Sequence, residues 1–219
     1  MRITLPSGTP AELGRPPQGE PTRGLVLLPD IGGLRPLFDD HVARLAGELG
    51  WAVCAPEPFP GQEELTLEER LASAGELSDE RVLGDAVAAA DATGCGAVGI
   101  CGFCMGGMYA LKATATGRFD RAVSFYGMIH VPEQWRSPTQ GDPLEAVTQA
   151  VATPTMAVIG TEDHFTPPAD VDELEAAGAV VVRYKGAEHG FVHDPDRPAH
   201  RPDDAADAWE RALAFLSGP

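Results

Sequence analysis

The feature that most restricts how this chain can fold is a recurrence of short, nearly pure apolar runs of β-forming residues, several of them followed by segments with helical spacing. Gly24-Leu25-Val26-Leu27-Leu28 is continuous and apolar, as a strand buried on both faces must be. Phe38, Val42, Leu45 and Leu49 follow at helical intervals. Ala52-Val53-Cys54-Ala55 then reads as a strand, and Val82, Leu83, Ala86, Val87 and Ala90 as a helix face. Ala97 to Cys101 is the next strand and Met105 to about Thr116 the next helix. Ala122–Phe125, Thr155–Ile159 and Ala179–Tyr184 are further strands. A last helix opens at Pro202-Asp203-Asp204, whose acids suit a helix N-terminus, and presents Ala206, Trp209, Leu213 and Leu216 to the core. This alternation predicts an α/β fold with a mostly parallel sheet of about seven or eight strands and helices on both faces. Residues 6–23 and 57–78 read as irregular, the second acidic with mixed helical character, and neither reads as a linker, so residues 1–219 are expected to form one domain.

Composition narrows the function. The net charge is −17, with only two lysines, Lys112 and Lys185, and no basic cluster, which argues against nucleic acid because phosphate contacts need Lys and Arg. No apolar run approaches the roughly 18–20 residues that span a bilayer, and the start lacks a signal-peptide pattern, so a cytoplasmic protein is expected. The four cysteines, Cys54, Cys95, Cys101 and Cys104, are then expected to be reduced.

The sharpest local signal is Gly102-Phe103-Cys104-Met105-Gly106-Gly107, set between a strand and a helix. A nucleophile on such a turn is held in a strained backbone, and a side chain two residues before or after it would strike the strand or helix. At the helix N-terminus the thiol feels the positive end of the dipole, which favours the attacking thiolate, and the Met105 N–H points to where an oxyanion would form. The plainer alternative is a glycine-rich turn around an inert cysteine. A nucleophile needs a base and a carboxylate to orient it, in the chain order nucleophile, acid, histidine on this fold. Asp163 and His189 stand in that order, each in a loop just after a strand, where parallel sheets place their sites. Cys101 and Cys104 also spell C-x-x-C, so a thiol–disulfide redox protein is one alternative, and a hydrolase scaffold kept as a non-catalytic binding module is another. The histidines His41, His130, His164 and His193 match no metal-binding spacing, so neither metal nor organic cofactor is expected.

With these residues the chain resembles the dienelactone hydrolase family, through the elbow at 102–107, Asp163-His164-Phe165-Thr166-Pro167 and His189-Gly190-Phe191, over roughly residues 24–217. Cys54-Ala55-Pro56 and Tyr126-Gly127 sit where the family has similar residues, and Tyr126 is a candidate substrate contact. The resemblance implies hydrolysis of a small ester or lactone through a thioester on Cys104, with the N–H groups of Ile31 and Met105 as oxyanion hole, in a monomer or small homo-oligomer. It places Asp30 where a family carboxylate touches the resting thiol, although Asp30 also reads as a turn residue before Gly32-Gly33. Dienelactone-cleaving members hold the substrate carboxylate with two arginines, one of them four residues after the catalytic histidine. Here that position is His193, which implies a preference for neutral substrates, while Arg70 and Arg81 are the candidates for the other arginine.

Overall fold

A computed structural model describes residues 1–149 and 153–218. It holds a single eight-stranded sheet among the described residues, built from β1 (Arg2–Thr4), β2 (Pro10–Gly14), β3 (Gly24–Leu28), β4 (Ala52–Pro56), β5 (Val98–Phe103), β6 (Arg121–Phe125), β7 (Thr155–Gly160) and β8 (Val180–Tyr184). The order across the sheet is β1-β2-β4-β3-β5-β6-β7-β8. The pairs β1/β2 and β2/β4 are antiparallel, and the remaining five are parallel.

Seven helices complete the described fold: α1 (Pro36–Leu49), α2 (Leu67–Ser73), α3 (Asp79–Ala92), α4 (Met105–Ala113), α5 (Pro143–Thr148), α6 (Pro168–Ala176) and α7 (Pro202–Ser217). Alternation along the strands sorts the core into two sides. Val98 and Ile100 of β5 pack with residues of α3 and α4, whereas Cys101 and Phe103 join Phe38, Val42 and Leu45 of α1 and Ala208 and Leu216 of α7. Ala157 and Ile159 of β7 meet Val171 and Leu174 of α6. No helix among the described residues is long and apolar enough to cross a membrane.

Two sequence readings are corrected here. Residues 6–23 are not wholly irregular, because β2 lies within them with the two-residue alternation of a strand, Ala11 and Leu13 facing inward. Its proline is tolerated because it is the first residue of the strand. The face of α7 is also rotated by one residue. Ala205, Ala208, Ala212 and Leu216 are buried, Trp209 and Leu213 are half-buried against them, and Ala206 faces solvent. Within 57–78, Thr66 and Glu69 form a capping box that starts α2, with Glu69 N donating to Thr66 Oγ1 and Thr66 N donating to Glu69 Oε2.

Candidate active site

Cys104 lies between β5 and α4 with φ 54° and ψ −118°, a conformation non-glycine residues rarely adopt. The turn is tight enough that a Cβ on Gly102 would come within 2.2 Å of the Gly106 carbonyl oxygen, and one on Gly106 within 2.3 Å of the Leu28 and Pro29 oxygens. Both flanking glycines are therefore sterically required. The backbone N–H of Cys104 donates to the Phe125 carbonyl at 3.0 Å, tying the turn to β6. Met105 is the first residue of α4, so its N–H is one of the donors a helix start leaves unbonded.

The next two strands bring the other partners. Asp163 follows β7 and is buried, with Oδ1 accepting from Phe165 N at 2.9 Å and Oδ2 lying 2.8 Å from His189 Nδ1. The loops are laced together, because Glu162 N donates to the Ala187 carbonyl at 3.0 Å. A Cβ on Gly160 would come within 2.3 Å of that same oxygen. The rings of Phe165 and Tyr126 meet His189 edge-on, at centroid distances of 4.9 and 5.1 Å. His189 Nε2 is buried and bonds no protein atom.

Burial pushes the His189 pKa down, but the Asp163 carboxylate, through its hydrogen bond and charge, and the neighbouring Cys104 sulfur outweigh it and hold it up at about 9. A folded value above the ordinary imidazole value stabilises the fold fully below about pH 6.5, and that stabilisation is lost as the pH rises through about 9. Urea unfolding at about pH 6 and about pH 9.5 is expected to show a loss of stability up to roughly 3 kcal/mol larger in the native protein than in His189→Gln. Equal losses in the two proteins would mean that His189 does not carry the shift.

The remaining candidates are placed differently from the sequence reading. Asp30 is fully engaged: Oδ1 accepts from Gly32 N at 2.9 Å and Arg35 Nη1 at 2.6 Å, and Oδ2 accepts from Arg35 Nη2 at 2.9 Å. His193 Nε2 lies 2.8 Å from the same Oδ2. Burial would raise its pKa, yet His193 and Arg35 hold it well below the usual carboxylate range. Cys104 is not among its partners, so the turn reading describes Asp30 better than a contact with the resting thiol.

His193 is buried, not a half-charged stand-in for an arginine. Burial pushes its pKa down despite Asp30, leaving a neutral ring at pH 7. Its Nε2–H donates to Asp30, so its Nδ1 accepts from the Tyr126 hydroxyl at 2.5 Å. Tyr126 is itself buried, at φ 42°, and its hydroxyl faces His193 instead of substrate.

Neither Arg70 nor Arg81 lines the cleft around Cys104. Arg70 is buried, donating from Nη1 to Glu57 Oε1 at 3.1 Å, from Nη2 to the Glu63 carbonyl at 2.8 Å and from Nε to the Leu65 carbonyl at 3.2 Å. Arg81 is held by Asp85 at 3.1 Å and the Pro58 carbonyl at 2.7 Å.

Cys104 and His189 open onto a cleft of about 520 Å³ whose wall includes Asp30, Ile31, Arg35 and Arg197. Sequence spacing did not reveal the two arginines. Arg197 packs across the backbone of Gly190, where a Cβ would come within 2.7 Å of its guanidinium. Arg197 forms no ion pair among the described residues. The cleft wall therefore carries a guanidinium where the sequence position four after His189 offers only the neutral His193.

Thiol, imidazole and carboxylate thus reach one region from the ends of β5, β8 and β7, on a sheet and helix arrangement that defines the α/β-hydrolases. The chain belongs to the dienelactone hydrolase family, whose model matches residues 10–218 and so takes in β2 as well as the region expected from sequence. It is 30% identical over 223 residues to a Bradyrhizobium protein named as a probable 2-oxo-3-(5-oxofuran-2-ylidene)propanoate lactonase, covering 94% of this chain and 88% of that one. Identity to the carboxymethylenebutenolidase of Rhodococcus opacus is 30% over 207 residues, covering 88% and 79%. A Klebsiella pneumoniae protein whose solved structure carries the dienelactone hydrolase name superposes with TM-score 0.85 at 26% identity, covering 100% of this chain and 98% of that one.

Proposed function

We propose that this chain hydrolyses a small carboxylic ester or lactone through a Cys104–His189–Asp163 triad. The observation that carries the reading is His189, fixed at Nδ1 by Asp163 at 2.8 Å, with Nε2 left without a protein partner in the cleft that Cys104 lines. With its pKa held at about 9, His189 keeps the proton drawn from the Cys104 sulfur as an imidazolium, and the sulfur attacks the ester carbonyl carbon. The N–H groups of Ile31 and Met105 stabilise the resulting oxyanion, which collapses to a thioester as the alcohol leaves with the proton from His189. Water, deprotonated by the same imidazole, then releases the acid and restores the thiol. Asp163 keeps the Nδ1–H tautomer and steadies the imidazolium. No metal or organic cofactor enters this scheme.

The relatives' names suggest a lactone that bears a carboxylate, and Arg197 is the group suited to hold one. The redox alternative is weakened by Cys101, which is fully buried and whose thiol burial pushes above the usual range. All four cysteines are free, which fits a reducing compartment and a cytoplasmic setting. The continuous sheet from β1 to β8 supports reading the chain as one domain.

Iodoacetamide at a low molar ratio tests the assignment. Cys104 should be alkylated first, with ester turnover lost in step. Cys54, whose thiol burial pushes up to about 12, and Cys101 should stay unmodified, and the half-exposed Cys95 should react later. Preferential labelling of Cys101, or full turnover after Cys104 is alkylated, would overturn the reading.

A further inference from the structure

Large apolar side chains exposed to solvent are few among the described residues, and they are clustered. Leu67 is 57% exposed, Leu71 43% and Phe165 46%, and all three line the cleft that holds Cys104 and His189. The others, Met1 and Val180, lie outside it. A contiguous apolar patch left in water marks a binding surface more often than chance exposure does.

The patch is built, not incidental. Leu67 and Leu71 are four residues apart on α2 and so share one face. The helix is pinned from other sides. Its capping box closes the N-terminus, Arg70 is buried against Glu57, and Trp135 Nε1 donates to the Leu71 carbonyl at 3.1 Å. On the same cleft wall, the Phe165 ring rests edge-on against His189, and its backbone N–H is tied to Asp163. The leucines and the phenylalanine are thereby held in the wall of the cleft that Cys104 and His189 also line. The cleft volume of about 520 Å³ falls within the range of roughly 300–1,000 Å³ that accommodates drug-sized ligands.

We infer that Leu67, Leu71 and Phe165 form a subsite for an apolar substituent of the substrate, an alkyl chain or an aromatic ring carried by the ester or lactone that is cleaved. The inference rests on the hydrolase reading above. The occupant is a substrate group and not a second copy of the chain, because the patch is continuous with the cleft, and a protein seated on it would cover Cys104 and His189.

Two ester series test this. One is ethyl, butyl and hexyl acetate, whose leaving groups differ only in alkyl length; the other is the ethyl esters of acetic, butanoic and hexanoic acids. A fully buried methylene gains about fourfold, and an open rim delivers part of that, so kcat/KM should rise about tenfold or more from the shortest to the longest member of at least one series. The rise should appear mainly in KM. Leu67→Ser combined with Leu71→Ser should flatten it by about fivefold or more, whereas Val180→Ser should leave the slope intact. Both leucines are solvent-facing, so the thermal melt should hold. Alkylation of Cys104 by N-ethylmaleimide and N-hexylmaleimide gives a readout that needs no turnover: the hexyl reagent should react faster with the native protein, and the double variant should lose that advantage.

Rates independent of chain length in both ester series and with the maleimides would overturn the inference. So would a slope that survives the double variant, or a native dimer that the double variant dissolves, which would assign the patch to a second copy. Absence of ester turnover with the maleimide advantage retained would refute the hydrolase reading and leave the apolar subsite standing.

Discussion

Asp163→Asn is expected to lower ester turnover by roughly two to four orders of magnitude while the protein remains folded. The direction follows from the two hydrogen bonds of the carboxylate. One oxygen accepts from the Phe165 N–H at 2.9 Å and the other faces His189 Nδ1 at 2.8 Å. An asparagine must keep its carbonyl oxygen toward Phe165, since an amide NH2 there would oppose another donor. Its NH2 then faces Nδ1 and forces the proton onto Nε2. An imidazole protonated at Nε2 cannot take a proton from Cys104. Steady-state kinetics on one activated ester, with a far-ultraviolet spectrum to confirm the fold, measures the effect. Retention of most of the activity would mean that another carboxylate orients the histidine. Glu162 would be the next to replace, because Asp30 is already committed to Arg35, Gly32 and His193.

The largest expected loss of stability lies away from the thiol, in the buried pair of Glu57 and Arg70. Glu57 accepts from Leu34 N at 2.7 Å and Phe59 N at 2.9 Å, so it binds the loop after β3 to the loop after β4. The loop after β3 carries Ile31. Arg70→Met removes the cation and leaves the buried carboxylate uncompensated, a change that typically costs about 3–5 kcal/mol. Replacing Glu57 and Arg70 together by methionine should recover part of that loss, because no lone charge then remains. Urea unfolding of the two single variants and the double variant measures the coupling. Additive losses would show that the pair is not a unit.

The contrast between these two sites shows what is legible in a sequence. The cysteine elbow, the aspartate loop and the histidine loop are each short, lie just after a strand and carry glycines with a steric purpose, so local reading singles them out. The central parallel strands were equally visible because burial on both faces makes them continuous apolar runs, while β8, at the exposed edge, shows through its run of valines. Weaker marks were missed. The strand at residues 10–14 is half-exposed and begins with proline, so its alternation hides in a proline-rich stretch. The two arginines of the cleft wall could not be found by spacing. Arg197 reaches the cleft only because the loop before α7 folds back over Gly190, and Arg35 only because it caps α1 next to Asp30. Arg70 and Arg81 looked equally available in the sequence, but each had already been claimed by acceptors from a neighbouring loop.

The lacing of the loops after β7 and β8 divides the site into parts of unequal stiffness. Asp163 and His189 ride on adjacent strands whose ends are stitched by Glu162 N and the Ala187 carbonyl, so the two side chains travel as one cartridge. Cys104 stands at the end of β5, with β6 and β7 between it and β8. Sheet breathing and changes in twist therefore alter the gap between sulfur and imidazole far more than the gap between imidazole and carboxylate. In the proposed triad the slack would fall between Cys104 and His189, and warming should erode their alignment well before it separates His189 from Asp163.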